Sequence, residues 1–433
     1  MDINADETGS PTVRMIVTGD PVTETPPSTP SLPLTGVTVV AIEQAVAAPL
    51  ATRHLADLGA RVIKIERIDG GDFARDYDHV VNGTGSHFVW LNRGKESVAL
   101  DLKSAAGLNV IRRLIDRADV FVQNLAPGAA DRLGLGADEL RRAHESLIVV
   151  NLSGYGAGGP MEHRKAFDML VQAQAGLVSV TGTSEHAVKT GIPTADIAAG
   201  MYCTQAVLAA LLRQARSGEG ATVDVTMFEA TAEWMGHPMY VQMYAGRQIP
   251  RMGLSHAAIA PYDAYPTNDG QVLIGIQNDA GWRTLVTDVF GRPELALDPR
   301  FRTNVLRVQH RTDCDATVAA HTARWSAADL EAKLDAAGIP AAQVNQVADL
   351  INHPQLRARN RWRTVATENG PVEALLPPVT FHDIEAAMGD VPALGEHTAS
   401  ILRETGLDNA AVEQLLTIGT AHQDHYAAKG VPA

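Results

Sequence analysis

Cysteine is nearly absent: Cys203 and Cys314 stand far apart in 433 residues, with no CxxC and no Cys/His spacing. That excludes a disulfide framework and a thiolate zinc site, and no metal site is expected. A reducing, cytoplasmic compartment is the expectation. Positive charge is also scarce, with 36 Lys and Arg against 50 Asp and Glu and a formal net charge of −14. Without a basic field, nucleic acid is excluded as a partner, and an anionic substrate needs a local cationic pocket. No run of about 18 apolar residues exists, and the acidic start MDINADETGS is unlike a secretory signal, so neither a membrane span nor export is expected. Phosphate-cradling glycines are missing too: the turn after the first strand reads EQAVAAP, with no GxGxxG and no GxxxxGK[ST]. A dinucleotide-dependent dehydrogenase and a P-loop enzyme therefore lack their signatures.

What is present alternates. Residues 1–33 end in PVTETPPSTPSLP, a Pro/Thr/Ser leader that cannot bury apolar surface and is expected to be disordered. From Leu34, VTVVAIE reads as a buried parallel strand, PLATRHLADLG as a helix with Pro49 in its first turn, and ARVIKIE as the next strand. The alternation continues through LNVIRRLIDRA, DVFVQNL, ADELRRAHES and LIVVNLS, predicting an α/β fold with a doubly wound parallel sheet in a large lobe over 34–224. Ligands of such sheets bind at the carboxyl ends of the strands, so the loops starting at Gln44, Arg67, Asn124 and Ser153 should line one crevice. The Ala-rich stretch ADIAAGMYCTQAVLAALLRQARSG predicts one helix, with Asp196 near its start and Arg213 and Arg216 near its end, matching the helix dipole. PYDAYPTNDGQVLIGI carries a hairpin signature, giving a smaller α+β lobe over 225–330, and the segment 331–433 is expected to return to the large lobe.

The segment most informative for chemistry is NLSGYGAGGPMEHRKAFDMLVQAQAGLVSVTG. Tyr155 to Pro160 is a Gly-rich loop after a strand, and Asp168 opens the next helix. Such an aspartate can be an ordinary cap, or a nucleophilic carboxylate beside backbone N–H groups that hold an oxyanion; spacing leaves both open.

TGVTVVAIEQAVAAPLATRHLADLGARVIKIERIDGGDFAR, NRGKESVALDLK, VQNLAPGAADRLGL and LSGYGAGGP with AFDMLVQAQAGLVSVTG, in that order, closely resemble the family III CoA-transferases of the formyl-CoA and carnitine CoA-transferase type. The resemblance implies that Asp168 is the catalytic aspartate, working through an acyl-aspartyl anhydride and an aspartyl-CoA thioester. It implies no permanently bound cofactor; the coenzyme A thioester is substrate, placed along the crevice by Arg67, Lys95 and Arg132, with Asn124, Leu125 and Leu133 flanking them. Tyr155 contacts the pantetheine arm or is simply packed, and Val46 and Ala47 approach the thioester. The formyl-CoA branch has a polar residue where Val46 stands and a polyglycine loop where RMGLSHAAIAP has only Gly253, which points to a larger acid than oxalate.

EQAVAAPLATRHLADLGARVIKIER, SHFVWLNRGKES and AEWMGHPMY look most like the dicarboxylate-handling members, such as itaconate and mesaconate CoA-transferases using succinyl-CoA. The distal carboxylate needs a cation or donor, and the candidates are Arg75, His87, Arg251 and His256. Members of this family form interlocked homodimers, which is the expectation here. An acyl-CoA racemase of the same superfamily would pair a His before the aspartate with the residue matching Asp196. Phe167 removes one of those proton carriers. A noncatalytic acyl-CoA-binding module would keep the cations without needing Asp168, and an NAD-dependent oxidoreductase ranks third.

Overall fold

The computed structural model describes residues 31–424. The expectation of a disordered leader falls on residues outside them, apart from the last three positions. The large lobe is built by β1 (Thr38–Ile42), α1 (Ala47–Asp57), β2 (Arg61–Glu66), α2 (Ser86–Asn92), β3 (Lys95–Leu100), α3 (Ala105–Ile115), β4 (Val120–Gln123), α4 (Ala129–Arg132), α5 (Ala137–Ala143), β5 (Ile148–Ser153), α6 (Asp168–Gln174), α7 (Leu177–Val180), α8 (Thr194–Ser217) and β6 (Ala221–Thr226). Val39, Val40, Ala41, Ile63, Phe121, Val122, Val149 and Val150 are buried, as branched and apolar runs covered on both sheet faces must be. The strands stand in the order β3-β2-β1-β4-β5-β6, all parallel. Chain order reverses between β1 and β4, which opens the ligand crevice at their carboxyl ends.

One face of the sheet is covered by α1 and α8, whose small buried residues let the two helices approach closely. At Gly200 a methyl group would stand 2.7 Å from the Ala47 carbonyl oxygen, so only glycine fits there. By length and composition α8 could cross a membrane, but it lies in this core against α1, α6 and the next helix, α9 (Met227–Trp234). The other face is covered by α3, α5 and the C-terminal helices Thr398–Glu404 and Asn409–Thr417, which bury Ile401, Leu402 and Val412.

The expected start of the smaller lobe at 225 falls within β6. β6 completes the large sheet, and Thr226 caps α9 so directly that Met227 and Ala230 stay in the large core. After α10 (Gly236–Ala245), the hairpin of β7 (Tyr262–Pro266) and β8 (Gln271–Gly275) takes a third strand from β9 (Ala341–Gln343), beyond the expected limit at 330. Its core is Trp282, Leu285, Phe301, Val318, Leu330 and Leu334. A short hairpin follows, β10 (Trp362–Val365) and β11 (Val372–Leu375). Finally β12 (Ala421–His422) pairs antiparallel with β3 at the outer edge of the large sheet.

Candidate active site

Two aspartates from different elements meet at one helix start. After β5 the glycine-rich turn folds back so tightly that a methyl on Gly154 would overlap Ala166, which brings Asp168 to the first position of α6. Opposite it begins α8, whose cap residue is Pro193 and supplies no side-chain acceptor. Asp168 fills that need from outside: Oδ1 accepts from the backbone N–H of Ala195 at 2.8 Å and of Asp196 at 3.4 Å. Its Oδ2 accepts from Nε2 of Gln172 at 2.7 Å. Gln172 is itself fully buried and fixed by Thr190, whose N–H and hydroxyl both reach its Oε1.

Oδ1 of Asp168 is thus committed to capping α8, and Oδ2 to Gln172 of its own helix. The carboxylate of Asp196 accepts no hydrogen bond among the described residues. Burial, and then the charge of Asp168, push its pKa up to about 7. Asp168, the expected reacting carboxylate, thus stands here as a brace, and Asp196 is the carboxylate that no donor holds among the described residues. Tyr77 lies in the same field, its hydroxyl pKa raised by burial and by the charges of Asp72 and Asp196.

The turn after β1 closes this site from the side of α1. Val46 and Ala47 are buried there, and Val46 packs with Leu50 and Leu91 against Ile197, the neighbour of Asp196. Asn124, after β4, holds the turn through both ends of its amide, accepting from Gln44 N–H and donating to its carbonyl. Leu125 and Leu133 pack on the core beneath, and Tyr155 packs on the α8 side with Phe228, ring centroids 6.0 Å apart.

Of the expected phosphate-binding cations, two are exposed. Arg67, just past β2, lies over the Phe73 ring at 4.5 Å, donates to the Gly71 carbonyl at 3.0 Å and stands 3.9 Å from Asp69, and Arg132 in α4 has no ion pair among the described residues. Lys95 starts β3, and its Nζ is buried against Glu43 Oε1 at 2.6 Å, Asn92 Oδ1 and the Pro49 carbonyl. The exposed cation past the carboxyl end of β3 is Lys103, which sequence reasoning passed over; its place after the run SVALDL was the available signal.

The distal-carboxylate candidates also divide. Arg75 is not available, because it makes a two-pronged pair with Glu66 at 2.8–2.9 Å and stacks on Phe88. Arg251 is bonded to the carbonyls of Thr183 and Ser184, which ties the link between the lobes to the loop after α7. His256 is exposed and stacked on Tyr262. His87 is the candidate that remains near the site: it lies edge-on to Tyr77 at 5.7 Å, and its buried Nδ1 has no hydrogen-bond partner among the described residues.

A crevice with open cations, no glycine cradle and a free carboxylate at a braced helix start suits an acyl carrier with a phosphorylated handle. The sequence model of the family described as CoA-transferase family III matches residues 34–398. The chain belongs to that family. Similar proteins include the succinyl-CoA:glutarate CoA-transferase of Mus musculus, 31% identical over 90% of this chain and 91% of its own length. The succinyl-CoA:mesaconate CoA-transferase of Haloarcula hispanica is 31% identical over 85% and 95%. Among solved structures, a CAIB/BAIF family protein from Brucella suis superposes with a TM-score of 0.79 at 33% identity, covering 87% of this chain and 100% of that one. This family III CoA-transferase is therefore an enzyme acting on acyl-CoA and carboxylic acid substrates.

Proposed function

We propose that this CoA-transferase moves CoA from succinyl-CoA to a small dicarboxylic acid, of the size of glutarate, mesaconate or itaconate, through an aspartyl-CoA thioester on Asp196. The observation that carries this reading is the division of labour between the carboxylates, Asp168 saturated with donors and Asp196 free. A carboxylate oxygen of Asp196 attacks the thioester carbonyl and CoA thiolate leaves, giving a mixed anhydride. The thiolate then attacks the aspartyl carbonyl and releases succinate. The acceptor carboxylate attacks the aspartyl thioester in turn, and the returning thiolate takes the acceptor's acyl carbon and frees Asp196. Each step exchanges one activated acyl group for another, so neither ATP nor a metal is needed for balance. Arg67, Arg132 and Lys103 supply positive charge for the phosphates of CoA. His87 offers the distal carboxylate a donor, and the names of the two relatives favour a dicarboxylate.

Incubation with succinyl-CoA, proteolysis and mass mapping should place a CoA-sized adduct on the peptide holding residues 194–217, discharged by one acid from a panel of glutarate, mesaconate, itaconate and oxalate. An adduct on residues 168–174 would return the role to Asp168. Absence of adduct and exchange with every pair would favour the racemase or the binding module.

The homodimer belongs to the same reading. Helix α10 buries none of its residues although Met239, Tyr240, Met243 and Tyr244 are large and apolar. Met201, Leu208 and Trp234 open onto a groove of about 940 Å³ whose other wall is the segment 376–386. Exposed apolar surface this continuous calls for a partner, and a second copy threaded through the link between the lobes supplies it. Light scattering should give a dimer mass at micromolar concentration; a monomer would remove this part of the reading. The two buried thiols are consistent with cytoplasmic residence.

A further inference from the structure

Beneath the turn between β1 and α1 lies a charge cluster that no step of the reaction uses. Glu43, Lys64, Asp72 and Lys95 are all buried, Lys64 with no exposure at all. Lys64 Nζ donates to Asp72 Oδ2 at 2.7 Å, and Glu43 Oε1 accepts from Lys95 at 2.6 Å and from Lys64 at 3.4 Å. Glu66 joins the cluster by accepting from the Asp72 N–H at 2.9 Å, and it is held in turn by Arg75. Burying this many ions is costly and rarely the best way to stabilise a core.

The geometry of Asp72 suggests what the cluster does. Its Oδ1 accepts from the N–H of Ala45 at 2.8 Å and of Ala74 at 2.9 Å, while Oδ2 is locked to Lys64. Ala45 has φ +66°, a left-handed conformation that alanine rarely adopts. A strained residue persists only where its surroundings over-determine it. Here the strained turn opens directly into Val46 and Ala47, which pack on Ile197 and Gly200 in the first turns of α8. The backbone N–H groups of Val46 and Ala47 have no acceptor among the described residues. The same Asp72 charge acts on Tyr77 together with that of Asp196, which puts clamp and carboxylate in one neighbourhood.

We propose that Asp72 is a positioning residue for acyl transfer. Through its bond to Ala45 N–H, it holds the left-handed turn that presents the Val46 and Ala47 peptides to the carboxylate at the start of α8. The buried cluster fixes Asp72 and touches no substrate. This rests on the reading of Asp196 as the acyl carrier. On this reading the clamp sets the rate of the covalent step and not the affinity for CoA.

Three variants test it on the full-length protein, with two readouts: the rate of adduct formation on residues 194–217 from succinyl-CoA, and the dissociation constant of free CoA. Asp72→Asn removes the charge that binds Lys64 and should slow adduct formation 10- to 100-fold, with CoA affinity within twofold. Ala45→Val leaves every buried charge in place but forces a β-branched residue into a left-handed turn, and should show the same split. Ala45→Gly suits that backbone and should keep the rate within threefold of wild type; placed in the Asp72→Asn background it should recover at least fivefold. Wild-type rates in both Asp72→Asn and Ala45→Val would overturn the proposal. So would equal losses of CoA binding and adduct formation, since that marks general damage. If Asp72→Asn fails to fold, Ala45→Val alone decides. A wild-type protein that forms no adduct on 194–217 sinks the functional reading, and the positioning role falls with it; an adduct in wild type with unaffected variants sinks the positioning role alone.

Discussion

Asp196→Asn should abolish CoA transfer, lowering kcat by about 10³-fold or more, and should also make the protein more stable above neutral pH. Loss of a nucleophile leaves only binding and positioning behind. The stability gain follows from the same side chain. In the fold the Asp196 pKa is raised from 3.8 to about 7, first by burial and second by Asp168. A carboxyl group that holds its proton more tightly when folded contributes stability at low pH and loses it as pH rises through the folded value. At pH 8 the ionised Asp196 therefore opposes folding, by about 4 kcal/mol at most from a shift of about 3 units. The asparagine variant escapes that penalty, so its advantage in urea unfolding should be present at pH 8 and absent at pH 4. Equal stability of the two proteins at both pH values would refute the buried, raised carboxyl. Wild-type kcat/KM should climb through pH 7 as Asp196 ionises. Asp168→Asn should move that limb to lower pH without restoring the ordinary carboxylate range, because burial remains.

Lys64→Met should cost about 3–5 kcal/mol, the range seen when one partner of a buried ion pair is deleted. Lys64 bridges Glu43 and Asp72 with no solvent exposure on any of the three side chains. Methionine fills similar volume but leaves Asp72 without its cation and Glu43 with Lys95 alone. Chemical denaturation at pH 7.5 measures the loss. A cost below about 1 kcal/mol would mean that water or a shifted Lys95 reaches the site. Lys95 is the group able to respond: its pKa, drawn down to about 8 mainly by burial, should rise when the neighbouring positive charge is removed.

The sheet was legible because its strands are the runs of branched residues, and period and length separate them from the helices. The chemistry was less so. Asp168 and Asp196 each stand in the first turn of a helix, and sequence cannot say which carboxylate caps which helix. That is decided by α6 closing on α8, where Pro193 leaves an empty cap for Asp168 to fill. Lys95 read as a strand-end cation because its motif is basic, yet α2 stops at Asn92 and β3 starts at Lys95, at the opposite end of the strand. A signal for the buried cluster was present: VIKIE and VVAIE place charged residues within or directly after otherwise apolar strands, where only paired ions survive. Glycine-free turns such as QAVAAP gave no sign that Ala45 is left-handed, since alanine carries no preference for that conformation. The third strand of the smaller sheet was not legible, because β9 is only three residues long and lies some 65 residues from its partner strand in sequence.

The two-residue strand β12 has a consequence for biogenesis. The outer backbone edge of β3 at Ala99 and Leu100 is covered by Ala421 and His422, more than 300 residues later in synthesis. During translation the first lobe can assemble five crossovers of its sheet while that edge stays bare, an invitation to pairing with neighbouring nascent chains. Truncation just before Ala421 would therefore show itself in aggregation during refolding rather than in the chemistry of the distant crevice.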